Sequence, residues 1–183
     1  MSDAELLESV VTKDAVLVEG VRDDQWAAPT PCPDYDVRAL VSHLVGGLRT
    51  FAAGVNDAPK VEGDPWSLAT EEPAKDARAM GADLVAGWRR VPADGQVRIT
   101  GDPVPQEMAF AMTLMEYVTH GCDLAIATGQ PVPFSDAELE TTYAAATATL
   151  KPEYRGDSFG PEVPVPADAP PLDRLLGFMG RQP

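Results

Sequence analysis

The segment with the most continuous apolar character, residues 105–129, constrains the fold more than any other feature of the chain. When the segment is plotted as a helix, its apolar side chains fall around most of the circumference, which is typical of a helix that is buried on nearly all sides. These side chains are Phe110, Ala111, Leu114, Met115, Val118, Cys122, Leu124, Ala125 and Ile126. The segment therefore predicts a helix inside the protein, with a C-cap at Gly129.

One stripe of this helix carries ionisable groups. At about 100° per residue, a narrow sector collects Ala109, Met112, Glu116, His120, Asp123 and Ala127. Glu116 and His120 are four positions apart, so they project from the same face as a carboxylate and imidazole pair. Unpartnered groups of this kind in a protein interior cost several kcal/mol, and the stripe must therefore have partners.

Two kinds of partner satisfy the stripe. The first is an internal hydrogen-bond network, in which Asp123 holds His120 and an arginine such as Arg38 or Arg49 pairs with Glu116. The second is a metal ion, for which a carboxylate and an imidazole on one helix face supply half of a site. The helix alone does not decide between them.

The only other histidine of the chain, His43, favours the metal. It lies in a second amphipathic helix, which Asp36 caps, on the flank of an apolar stripe formed by Val37, Leu40, Val41, Leu44, Val45 and Leu48. Gly47, one turn later, leaves room for another group to approach the imidazole. Two histidines and one glutamate on the buried faces of two helices form a candidate ligand set: His43, Glu116 and His120.

This ligand set suits one divalent metal. Two imidazoles and a carboxylate favour zinc with an open coordination position, and the same set also serves iron, nickel or manganese. Three protein ligands are typical of catalytic zinc sites, whereas structural sites use four.

The rest of the chain alternates helical patterns with proline-rich loops. Helices are predicted near residues 3–20, 36–54, 74–90, 105–129 and 135–150, with a short one near residues 172–179. A capping box at Ser135 and Glu138 opens the fifth helix, and residues 96–100 alternate like a short strand or extended connector. We therefore predict an all-α bundle forming a single domain, residues 1–183, in which residues 151–183 are a proline-rich C-terminal extension packed on the bundle.

Charge and segment composition limit the partners. The formal net charge of −15 disfavours nucleic acid and anionic membrane surfaces, because both would repel the chain. The sequence has neither a signal-peptide pattern at its start nor a membrane-length apolar run, so we expect a cytoplasmic protein, as a monomer or homodimer. Cys32 and Cys122 are expected to be reduced thiols.

Several stretches of the sequence carry a family resemblance. Trp26, residues 30–44 (TPCPDYDVRALVSHL), residues 116–125 (EYVTHGCDLA) and residues 127–130 (ATGQ) resemble the N-terminal domain of mycothiol-dependent maleylpyruvate isomerases. The ending, residues 159–170, is similar to a single-domain actinobacterial branch of that family. The family usually has Gly-Trp where this chain has Asp34 and Tyr35, and Trp where it has Cys122.

The resemblance implies a DinB-like four-helix bundle that holds one divalent metal. The family's ligands fall on His43, Glu116 and His120, the residues already selected from the helix patterns. Asp123, one turn past His120, is placed to act as an outer partner that orients the imidazole, with a surface or helix-capping role as the alternative. The two-domain isomerases carry a C-terminal domain with catalytic residues, and we expect this protein to have no counterpart of that domain.

The expected function is a metal-dependent thiol chemistry with mycothiol as cosubstrate. A thiol bound to the metal ionises more readily and attacks an electrophilic carbon of a small substrate, so that the protein works as an S-transferase or isomerase-like enzyme. Two alternatives stay open: a metal-dependent hydrolase, which needs no thiol, and a non-enzymatic metal-binding or regulatory module.

Overall fold

Six α-helices make up most of the described structure. The computed structural model describes residues 2–155 and 159–182. The helices are α1 (Asp3–Glu19), α2 (Val37–Val55), α3 (Pro73–Trp88), α4 (Gln106–Thr128), α5 (Asp136–Thr149) and α6 (Pro171–Phe178), with a 3₁₀ turn at Pro152–Tyr154. The prediction of an all-α fold is confirmed.

The first four helices enclose the core. α1 contacts α3 and α4, and α2 contacts the same two helices, so the four form a closed ring of packed neighbours. α5 covers a further side of α4, and α6 packs on α5. Because α4 touches α1, α2 and α5, most of its apolar residues are buried, as predicted, but Ile126 near the end of the helix is 45 % exposed. The extent of the domain, residues 1–183, stays a prediction.

The helix ends follow from local capping. The Asp36 carboxylate accepts a hydrogen bond from the Ala39 amide, 2.8 Å away, and the Ser135 and Glu138 capping box is formed at the start of α5. α4 ends at Gly129, whose φ of 66° lies in the left-handed region that glycine adopts at little cost. The predicted helices agree with the observed ones to within two residues at each end.

The predicted extended segment at residues 96–100 is shorter than expected. Its strand, β1 (Gln96–Val97), pairs antiparallel with β2 (Val104–Pro105). The pairing stops at Val97 and Val104, because the chain bends at residues 99–102 and Pro103, which would lie opposite Arg98 in this register, has no amide hydrogen to donate. Within the described residues no helix is both long and apolar enough to cross a bilayer.

A carboxyl group stands unpaired where α1 meets α4. Asp14 is 2 % exposed, and neither of its carboxylate oxygens has a hydrogen-bond partner within residues 2–155 and 159–182. The helices approach closely here, since a Cβ at Gly121 would lie 2.2 Å from Asp14 Oδ1. Burial raises the pKa of Asp14 well above its usual range, and the negative charge of Glu116 adds to the rise.

We expect Asp14 to make folding less favourable as pH rises. A carboxyl with a raised pKa in the folded state binds its proton more tightly than in the unfolded chain, so the free energy of unfolding falls between the two pKa values. In metal-free protein, the wild type should lose stability relative to Asp14→Asn by up to about 1.4 kcal/mol per pH unit above about pH 4. Urea unfolding from pH 4 to pH 8 measures the difference, and the exposed Asp83→Asn is the control. Parallel curves for the wild type and Asp14→Asn would contradict the expectation.

Candidate metal centre

His43 is held on α2 by contacts with both of its ring nitrogens. Its Nδ1 lies 3.0 Å from the Trp66 carbonyl oxygen, and its Nε2 lies 2.7 Å from Glu116 Oε1. A carbonyl oxygen can only accept, so the hydrogen on Nδ1 is donated to Trp66. This contact fixes the imidazole with its Nε2 atom toward Glu116.

The Trp66 carbonyl reaches His43 because the segment that contains Trp66 packs closely against α2. The segment around Ser67 lies so near the helix that a Cβ at Gly46 would come within 2.5 Å of the Ser67 nitrogen. The Leu68 amide donates to the Ser42 carbonyl at 3.0 Å, and the Thr50 hydroxyl donates to the Pro65 carbonyl. Glycine at position 46 is therefore required for this packing, and the packing in turn orients His43.

His120 is oriented in the same way from α4. Its Nδ1 lies 3.1 Å from Asp123 Oδ2, and its Nε2 faces Glu116 Oε2 at 4.0 Å. The second distance is too long for a hydrogen bond. Asp123 is fully buried, so the surface role considered for it does not apply.

The charges of these groups support one another. Burial raises the pKa of Glu116, but the neighbouring His120 and His43 outweigh burial and leave it below its usual value. Burial lowers the pKa of His43, but the nearby Glu116 carboxylate outweighs burial, so that the pKa of His43 lies above its usual value. Asp123 is likewise held as an anion, because His120 and Arg181 lower its pKa more than burial raises it.

The donor set fits a divalent metal ion. One nitrogen from each imidazole and one carboxylate oxygen from His43, Glu116 and His120 lie within 4.8 Å of one another. Each Nδ1 is engaged by an outer acceptor, and each Nε2 turns toward the shared carboxylate. Histidines that bind metals show this arrangement, in which an outer acceptor fixes the tautomer and leaves the other nitrogen free. The role of the three residues as ligands stays a prediction.

A second group of potential ligands shares His120 but is less suited to a cation. Cys32, His120 and Asp123 also place their ligand atoms within 4.8 Å of one another. However, the Arg181 guanidinium donates to both oxygens of Asp123, at 3.0 Å from Oδ2 and 3.3 Å from Oδ1. A positive charge already stands there, so the group on the Nε2 side of His120 is the better candidate.

A cavity opens onto the candidate ligands. Its volume is about 470 Å³, within the usual range for small-molecule sites. The ring of Tyr35 stacks on His43 with centroids 4.9 Å apart, and the centroid of the Trp66 ring lies 6.0 Å from that of the imidazole. Phe159, Met179 and Arg181 of the C-terminal segment complete the wall. A small ligand bound here would lie against the imidazoles.

The proposed arginine partners of Glu116 are wrong. Arg38 lies over the Trp26 ring, 5.4 Å from its centroid, and Arg49 donates to the carbonyls of Asp64 and Ser67. Within the described residues neither contacts Glu116 by a hydrogen bond or ion pair. The prediction of two reduced cysteines is confirmed, since Cys32 and Cys122 are both free.

Two contributors to the site escaped the sequence patterns. Trp66 contributes through a backbone carbonyl, which carries no side-chain signal. Arg181 is far from the other residues in sequence and follows no periodic pattern. The one available hint was the pair Gly46 and Gly47 on α2, where glycine allows another segment to approach.

Comparison with known sequences identifies the family of this fold and site. The sequence model of the mycothiol maleylpyruvate isomerase N-terminal domain matches residues 9–125, which include all three candidate ligands. Uncharacterized proteins of Mycobacterium tuberculosis strains CDC 1551 and H37Rv are each 30 % identical over 173 residues, covering 91 % of both chains. No solved structure matches the chain significantly. The chain belongs to the mycothiol maleylpyruvate isomerase N-terminal domain family.

Proposed function

We propose that this protein is a metal-dependent enzyme that joins a low-molecular-weight thiol, mycothiol by family membership, to a small electrophilic substrate. His43, Glu116 and His120 hold the metal, with zinc as the first candidate and nickel, iron or manganese as alternatives. The reaction is an S-transfer or an isomerisation through thiol addition. The protein works in the cytoplasm as a monomer or homodimer, without nucleic acid or membrane partners.

One observation carries this proposal. Two Nε2 atoms face a single carboxylate at the wall of a cavity, while both Nδ1 atoms are tied to acceptors behind them. A simple hydrogen-bond network has no need to direct both Nε2 atoms to one carboxylate beside open space. Three ligands leave a coordination position for a substrate atom on the cavity side.

The chemistry of the site favours a thiol from outside the protein. A bound divalent metal is a Lewis acid that lowers the pKa of a coordinating thiol, so that the thiolate is available near neutral pH. Among the wall residues, the chain's own thiol is Cys32, whose pKa is raised by burial, so this thiol stays protonated. The nucleophile is therefore the cosubstrate rather than Cys32.

The cavity wall suits a substrate with a small apolar body. Phe51, Met112 and Met115 line its apolar part, whereas Tyr35 brings a hydroxyl group to it. This hydroxyl can bind a polar group of the substrate.

We expect the purified wild type, made without a histidine tag or chelator, to hold about one equivalent of a transition metal. His43→Ala, Glu116→Gln and His120→Ala should each weaken binding at least about 100-fold, more than the loss expected for an outer partner. Elemental analysis and competition with a chromophoric chelator measure both quantities, and circular dichroism checks that the variants are folded.

Cys32→Ser is the matched control for these variants. It removes a ligand from the second group of metal-binding residues but leaves His43, Glu116 and His120 intact, so its metal affinity should equal that of the wild type. If Cys32→Ser and His120→Ala lose the metal while His43→Ala and Glu116→Gln keep it, the metal lies on the Nδ1 side of His120. If the wild type binds none of the four metals, the internal-network interpretation is correct.

Turnover should require the thiol as well as the metal. Zinc-loaded protein is mixed with mycothiol and either maleylpyruvate or a chromogenic aryl halide, and product is followed by absorbance. We expect a rate at least about tenfold above that of the protein-free reaction, since a tenfold increase in rate needs only about 1.4 kcal/mol of transition-state stabilisation. His120→Ala and chelator-treated wild type should fall to the background rate.

Omission of the thiol separates the competing functions. If the protein hydrolyses ester or amide probes with metal but without thiol, it is a metal-dependent hydrolase rather than a transferase. Metal binding without any turnover across thiols and electrophiles would favour a non-enzymatic module.

A further inference from the structure

Arg181 reaches the candidate metal centre from the C-terminal end of the described chain. It follows Gly180, whose φ of 80° turns the backbone after α6, and its amide donates to the Leu176 carbonyl at 2.8 Å. The side chain is 7 % exposed, which is unusual for an arginine and requires compensation of its charge. This compensation comes from α4.

The guanidinium is fixed by three groups of contacts. Its Nε lies 3.3 Å from each oxygen of Asp123, and its Nη2 lies 3.0 Å from Asp123 Oδ2. Its Nη1 donates to the Met179 carbonyl at 2.7 Å. Since two nitrogens of the guanidinium, Nε and Nη2, hold the same carboxylate, Arg181 restricts the orientation of Asp123.

The same carboxylate oxygen is the partner of His120. Asp123 Oδ2 accepts from Arg181 on one side and from His120 Nδ1, 3.1 Å away, on the other. A buried carboxylate that lost its arginine would be an uncompensated charge free to rotate away from the imidazole. Arg181, Asp123 and His120 thus form a continuous chain of hydrogen bonds that ends at a candidate metal ligand.

We propose that Arg181 is a positioning residue of the metal centre: through Asp123 it fixes the ring orientation and tautomer of His120. The C-terminal segment is then a working part of the site, although it lies outside the family match, which ends at residue 125. The effect on metal affinity rests on the proposed function, whereas the effect on the His120 tautomer does not.

The test uses the full-length chain and two readouts. In metal-free protein labelled with ¹⁵N-histidine, the wild type should show the Nδ1–H tautomer at His120, and Arg181→Gln should show a mixture of tautomers. In chelator competition, Arg181→Gln should bind zinc about 10-fold to 100-fold more weakly, the usual loss for an outer partner of a metal ligand.

The matched control is Arg174→Gln. Arg174 lies on α6 of the same segment and pairs with Glu140 on α5, away from Asp123. This variant removes an anchor of the segment without touching the chain of hydrogen bonds, so both readouts should match the wild type. If Arg181→Gln fails to fold, Arg181→Lys replaces it, with an expected loss of about tenfold because an ammonium does not grip both carboxylate oxygens.

A double-mutant cycle with Asp123→Asn tests the route of the effect. If Arg181 acts through Asp123, then Arg181→Gln should change zinc affinity little once Asp123→Asn is present. An equal loss in both backgrounds would overturn the proposal, as would a wild-type tautomer and affinity in Arg181→Gln. If the wild type binds no metal, the proposed function fails, and the tautomer readout alone decides the role of Arg181.

Discussion

The structure depends on a carboxylate held between two imidazoles in the interior of a helix bundle. Glu116 projects from α4 toward His43 on α2, and the 2.7 Å contact between them links helices far apart in sequence. The two helices can approach because position 47 is glycine: a Cβ there would lie 3.1 Å from Tyr117 Oη and 3.6 Å from Glu116 Oε1. Because these groups are mostly buried, the interactions of the carboxylate are less screened by water than they would be at the surface.

The geometry of the imidazoles depends on groups that lie outside the two helices carrying the candidate ligands. The Trp66 carbonyl fixes His43, and it comes from the loop that packs on α2 at Gly46. Asp123 fixes His120 and is itself held by Arg181, which arrives after α6. The orientation of three side chains on two helices therefore depends on contacts with segments from most of the length of the chain. This dependence explains why the loop and the C-terminal segment are packed so closely against the cavity.

Local patterns predicted the helices and the grouping of the three side chains, but not what surrounds them. The caps at Asp36, Ser135 and Gly129 act within a few residues, so the sequence shows them directly. The polar stripe on α4 is likewise a local, periodic signal. By contrast, Arg38 and Arg49, which lie in the same predicted helix as His43, were proposed as partners of Glu116, and both proposals were wrong. Contacts such as Arg181 with Asp123 are made by tertiary packing, which leaves no periodicity to detect. The strand after Gln96 was overestimated for a related reason, since its length depends on a partner segment in which Pro103 has no amide hydrogen to donate.

The central claim is that one metal ion is bound by Nε2 of His43, Nε2 of His120 and the Glu116 carboxylate. Crystals of the full-length protein with zinc, measured above and below the zinc absorption edge, test this claim most directly. The account predicts one anomalous-density peak about 2.0–2.2 Å from both Nε2 atoms and from a Glu116 oxygen, with His120 Nδ1 still on Asp123. The absence of a peak at the three residues, or a peak bonded to Cys32 and Asp123 instead, would contradict it.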